Sequence, residues 1–152
     1  MAKFLFKMES ILSIKGKLEN QAKAEYGLEL AKLHEEERKL ELLIDKKNNY
    51  QFRLTDAVQN ELNIREIKRL EDCVEHVKYN MNLQKIVIQT QKQRVDMARK
   101  KLDNAMKERK TYEKLKEKAF EEFKIELEAQ ERKEIDELVS FRHQGAEESE
   151  DE

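Results

Sequence analysis

Between Ile67 and Ala119, apolar or small residues recur at an alternating three-and-four spacing: Ile67, Leu70, Val74, Val77, Met81, Ile88, Val95, Ala98, Leu102, Ala105, Tyr112 and Ala119. A heptad seam of that length predicts a coiled-coil helix. Gln84, Gln91, Arg109 and Lys116 interrupt the seam, and no proline occurs anywhere to break the backbone ladder. A second stripe, Phe4, Met8, Ile11, Leu18, Ala22, Tyr26, Leu30, Leu33, Leu40, Ile44 and Leu54, predicts another long helix over residues 3–57.

The break between the two falls at residues 57–62. Asn63-Ile64-Arg65-Glu66 reads as a capping box, with asparagine at the N-cap and glutamate at N3, and Leu62 with Ile67 supplies a hydrophobic staple. The second helix is therefore expected over residues 63–141. So short a connection folds the helices back on each other, giving an all-α, antiparallel two-helix coiled coil whose second helix is the longer. Residues 1–141 form a single hairpin in this reading.

Register follows from asking which apolar residues face each other. If paired numbers total about 121, Leu54 meets Ile67, Ile44 meets Val77, Leu40 meets Met81, Leu33 meets Ile88 and Tyr26 meets Val95. Beyond Tyr26 the apolar mates fit a total of about 120, with Ala22 opposite Ala98, Leu18 opposite Leu102 and Met8 opposite Tyr112. Gly27 sits at that slip, where a missing side chain would ease the adjustment.

On this pairing the first helix runs out opposite Lys118. The rest of the second helix, about 30 to 35 Å at 1.5 Å per residue, is expected to stand alone. Phe120, Phe123, Leu127, Ile135 and Leu138 lie on it with nothing in the chain to cover them. An uncovered apolar stripe marks a binding surface; its alternative use is self-association. After Phe141 the chain leads into Glu147, Glu148, Glu150, Asp151 and Glu152, and residues 142–152 are expected to be a disordered acidic tail.

Composition narrows the function. Charged residues make up 42% and aromatics 7%, with three glycines and no tryptophan, the profile of solvated helices without a thick core. The net charge of −2 hides the five acids of the tail, which leave residues 1–146 at about +3. The single cysteine, Cys73, fits a reducing compartment, and Phe4-Leu5-Phe6 is far too short for a signal-peptide core. The expected location is cytoplasmic.

Catalytic chemistry finds no support. There is no phosphate loop, dinucleotide turn or nucleophile elbow. Cys73 and His76 lie one helical turn apart, but His34 and His143 are too remote to complete a four-ligand metal site. Glu35, Glu36 and Glu37 read as a solvated run. No enzyme activity, cofactor or metal is expected. The strongest local field is at residues 92–118, where eleven Lys or Arg, Arg99, Lys100 and Lys101 among them, face five acids. With few aromatics and interleaved acids there, this stretch suits a solvated face or an acidic protein partner better than nucleic acid.

The opening Phe6-Lys7-Met8-Glu9-Ser10-Ile11-Leu12-Ser13-Ile14-Lys15, followed by Glu19-Asn20-Gln21-Ala22-Lys23-Ala24-Glu25-Tyr26-Gly27, resembles the start of the FliJ family, the coiled-coil component of the bacterial flagellar type III export apparatus. Leu43-Ile44-Asp45-Lys46-Lys47-Asn48-Asn49-Tyr50 and Glu131-Arg132-Lys133-Glu134-Ile135-Asp136-Glu137 are similar to later parts of that family, so the likeness spans residues 4–141. The resemblance implies a monomeric, stalk-like hairpin that sits in the ring of the export ATPase FliI. It also implies coupling to the export gate FlhA, escort of export chaperones, and a place in the cytoplasm at the inner face of the cell membrane. Phe120, Phe123 and Leu127, with Arg99, Lys100 and Lys101, would then meet the ATPase. Glu66, Leu70, Cys73 and Val77 match the gate-contact segment, although Glu66 stands where an aromatic is expected and Val77 where a polar residue is. Two other classes compete. A structural spacer or self-associating adaptor would leave ATPase activity unchanged, and a rotary γ subunit would need a globular domain for which residues 57–62 leave no room.

Overall fold

The computed structural model describes residues 2–60 and 63–150 and contains two helices, α1 (Glu9–Asn60) and α2 (Ile64–Glu150), with no strand among the described residues. The fold is all-α, and α2 is the longer helix. The chain forms two compact units, Glu19–Ala105 and the combination of Met1–Leu18 with Met106–Glu152.

Within the Glu19–Ala105 unit the helices run antiparallel. Gln84 lies on Glu36 while Gln91, one heptad further on, lies on Glu29. Both pairs total 120, within one residue of the register expected there. The seam of α2 is buried as the heptad predicts, at Leu70, Val74, Val77, Met81, Ile88, Val95 and Ala98. Opposite it, Tyr26, Leu33, Leu40 and Leu54 of α1 are half-buried. Gln91 is only 7% exposed, so the expected interruptions of the seam are part of it. Each of these glutamines donates from Nε2 to a backbone carbonyl of α1 and to the same residue's carboxylate: Gln84 to Glu36 at 2.9 and 2.6 Å, and Gln91 to the Glu29 carbonyl at 3.0 Å and its carboxylate. A buried amide with two partners is satisfied, and this register supplies both partners to both glutamines at once.

The start of α2 is half of the expected capping box. The Asn63 side-chain oxygen accepts from the amides of Arg65 (3.2 Å) and Glu66 (3.5 Å). The Glu66 carboxylate turns instead to Arg69, at 2.6 Å, where a charged partner outbids a backbone amide. The proposed staple involves Leu62, which lies outside the described residues.

The other unit departs from the sequence reading in three ways. First, residues 2–8 are not helical: α1 begins at Glu9, with the Leu12 amide donating to the Met8 carbonyl at 2.9 Å. Second, Ile11 and Leu18 are exposed, while Leu12, Lys15 and Gly16 turn inward. Third, the cross-helix contacts there are ion pairs, Lys15 with Glu108 and Glu9 with Lys116, both at 2.8 Å, whose long side chains reach diagonally past the residue directly opposite. The inward positions keep one phase along α1: Leu12, Lys15, Glu19, Ala22, Tyr26 and Glu29 follow a strict three-and-four spacing. No slip is needed at Gly27, which is exposed and would meet nothing with an added Cβ. At its far end α2 continues as helix to Glu150, through much of the stretch expected to be a disordered tail; Asp151 and Glu152 lie outside the described residues.

Candidate interaction surfaces

The apolar end expected to be bare is partly covered. In the non-helical N-terminal segment, Phe4 packs edge-on against Phe120 at 5.2 Å between ring centroids and against Phe123 at 5.5 Å. Lys124 lies 5.0 Å from the centroid of the Phe120 ring, a cation–π contact. Phe123 and Leu127 are half-buried, and Phe120 keeps part of its ring exposed. A groove of about 700 Å³ lies between this segment and α2, lined by Phe4, Met8, Leu115, Ala119 and Phe123. The expectation that nothing in the chain covers Phe120 and Phe123 is therefore corrected. Aromatic residues ahead of a helix start find a neighbouring helix if one is within reach, because leaving them in water forgoes burial. The uncovered part begins later. Every residue from 128 to 150 is exposed, and Ile135, Leu138 and Val139 form an apolar stripe one turn long at 59, 62 and 60% exposure.

The basic stretch divides by position. Arg109 and Lys116 face the seam half-buried, reaching Glu113 and Glu9 at 2.8 Å. Arg99, Lys100 and Lys101 are exposed and make no ion pair among the described residues, so their field is directed at solvent or a partner. Lys15 lies 6.0 Å from the Tyr112 ring, and its hydrogen bond to Glu108 raises its pKa.

The four residues matched to a gate contact are not equally available. Leu70 (1% exposed) and Val77 are buried against α1, whereas Glu66 and Cys73 are half-exposed. Leu70 and Val77 are seam residues and present no surface while the helices are packed. The bond from Arg69 holds the Glu66 carboxyl below the usual range.

The other residues singled out in the sequence are held in local contacts. Glu35 is paired with Arg38 at 2.7 Å, Glu36 is held by Gln84 and Lys39, and Glu37 lies 3.7 Å from His34. His76 shares a 3.3 Å hydrogen bond with Asn80, and Cys73 is a free thiol. No cluster of three or more metal-type ligands occurs among the described residues, and no helix there is long and apolar enough to cross a membrane.

A family model described as the flagellar FliJ protein matches residues 4–148. No curated protein and no solved structure matches the chain.

Proposed function

Because the chain belongs to the FliJ family of flagellar export components, we propose that it acts as a non-enzymatic stalk of the export apparatus, binding the export ATPase FliI through the far end of α2. The observation that carries this reading is the uncovered stretch 128–150 with Ile135, Leu138 and Val139 exposed on one face. A helix that ends in an apolar stripe with no cover of its own is completed by a partner. Phe120, Phe123 and Leu127 form the base of that end, the two rings packed by Phe4, and contribute the exposed part of Phe120 to the contact. Arg99, Lys100 and Lys101 orient an acidic partner, an attraction that salt weakens. The export gate FlhA would meet the turn-proximal part of α2 through Glu66 and Cys73, with Leu70 and Val77 supporting it from inside. Chaperone escort and a peripheral position at the inner membrane face complete the reading.

Steady-state ATP hydrolysis by the same organism's FliI, with and without this protein, tests the proposal. Stimulation is expected, and Ile135→Ser with Leu138→Ser should abolish most of it while leaving the helical signal and melting temperature unchanged. Arg99, Lys100 and Lys101 changed to Glu should reduce stimulation most at low ionic strength. A protein that leaves hydrolysis unchanged is a spacer, and the stalk reading falls.

A further inference from the structure

The two flanks of the Glu19–Ala105 unit are chemically unlike. On one, Leu28 and Leu42 of α1 and Leu83, Val87 and Met97 of α2 are exposed beside the seam and line two successive grooves. Leu28 and Leu42 are two heptads apart, as are Leu83 and Met97, so each pair lies on one line along its helix, with Glu35 and Thr90 midway separating the two grooves. On the opposite flank the positions matching Leu28, Leu42, Leu83 and Met97 hold Gly27, His34, Glu41 and Asn48 of α1 and Asn82, Gln89, Asp96 and Asp103 of α2, all exposed and none apolar beyond glycine; nearer the seam, Leu30 and Ile44 are half-buried and Lys78, Lys85 and Lys92 are exposed, so the exposed apolar side chains are what sets the first flank apart. A coiled coil that needed only two strands would have no use for this one-sidedness, because both flanks would face water.

The apolar flank is also basic. Five Lys or Arg line its grooves against two acids. Lys32 and Lys39 are already engaged by Glu29 and Glu36, whereas Lys46 and Arg94 make no ion pair among the described residues. What fits such a groove is a third helix with an apolar stripe and acidic shoulders.

The chain itself carries that helix. Residues 128–150 hold eight acids and three bases and are exposed throughout. Glu134 and Asp136 stand on either side of the stripe Ile135, Leu138 and Val139, and Glu131, one turn before Ile135, continues it. We propose that residues 128–150 of one copy dock as a third helix in the basic apolar groove of a second copy. The monomer expected from the seam accounts only for the inner faces of the helices; this pairing uses the two outer features left over. It does not rest on the ATPase reading, and it occupies the same apolar end, so docking on a second copy and docking on another partner exclude each other.

Light scattering coupled to gel filtration on the full chain, at low and high salt over a wide concentration range, tests this without the ATPase. A mass of two chains is expected at low salt, shifting toward one as salt rises. Lys46→Glu with Arg94→Glu should weaken the pair by about tenfold or more, and so should Glu131→Lys with Glu134→Lys and Asp136→Lys. All five positions are exposed, and circular dichroism should show both variants as helical as the parent. Mixed in equal amounts, the two variants should form a two-chain species that neither forms alone. A one-chain mass at every concentration and salt overturns the inference, in favour of an acidic helix from another protein. A pair that neither variant weakens, or a mixture that fails to restore it, overturns it too.

Discussion

Replacing Gln91 by alanine isolates what a polar residue contributes to an otherwise apolar seam. Gln91 is buried and donates both to the Glu29 carbonyl at 3.0 Å and to the Glu29 carboxylate. A neutral bond of that kind nets about 1 kcal/mol and one to a charged group about 1.5 to 3 kcal/mol. The carboxylate remains about a quarter exposed, which places the second bond at the low end of its range. The expected loss is about 2 to 3 kcal/mol, read as a lower urea midpoint at unchanged slope by circular dichroism. Gln91→Leu removes the same bonds but refills the seam, and should return stability to within about 1.5 kcal/mol of the parent. Gln93→Ala, an exposed change two residues away, is the reference and should cost less than about 0.5 kcal/mol. If Gln91→Ala costs no more than Gln93→Ala, the two bonds contribute nothing and the glutamines are not what sets the register.

Phe4→Ala should cost about 1 to 3 kcal/mol from half-burial and two ring contacts, and should speed amide exchange in residues 9–16 more than in residues 70–98. Equal exchange in both regions would mean that the N-terminal segment does not anchor the start of α1. Stability should also respond to pH through Glu36, whose carboxyl is held below the ordinary glutamate range, first by the Gln84 amide and then by Lys39. A lowered folded value means a contribution present above the ordinary glutamate value and lost as pH falls through the lowered one. Glu36→Gln should therefore flatten the acid limb of a melting-temperature profile; an unchanged limb would refute this.

The seam of α2 was legible in the sequence because its apolar residues and its heptad phase coincide from Ile67 to Ala105 at every seam position but Gln84 and Gln91. The phase of early α1 was not. Ile11 and Leu18 are the larger apolar residues there, but the packed line passes through Leu12, Lys15 and Glu19. A long helix keeps its supercoil phase even where that brings Lys15 and Glu19 inward, because shifting phase would disturb the packed turns next to them. Reading hydrophobicity residue by residue therefore suggested a slip that the period itself does not contain. The cover over Phe120 is hidden for a similar reason: the spacing of Phe4 continues the helical stripe, whereas residues 2–8 are not helical. The candidate interaction surface was legible as an uncovered end, but its starting point depended on that segment.

The two glutamine pairs are spaced by one heptad on both helices, and this leaves a trace in how the strands of the coil could be displaced. Sliding α2 against α1 by three or four residues, the shorter steps that keep the seam facing inward, sets both amides opposite Leu33, Leu40 or Tyr26, which offer no carboxylate. A slide of seven residues brings Gln91 to Glu36, or Gln84 to Glu29, and recovers one pair of the two. Axial displacement within the Glu19–Ala105 unit is thus notched: the native setting is deepest, and shallower detents lie on each side of it at steps of about 10 Å. Tension along α1 would be resisted until a whole step gave way, and the coil would then catch again instead of running free.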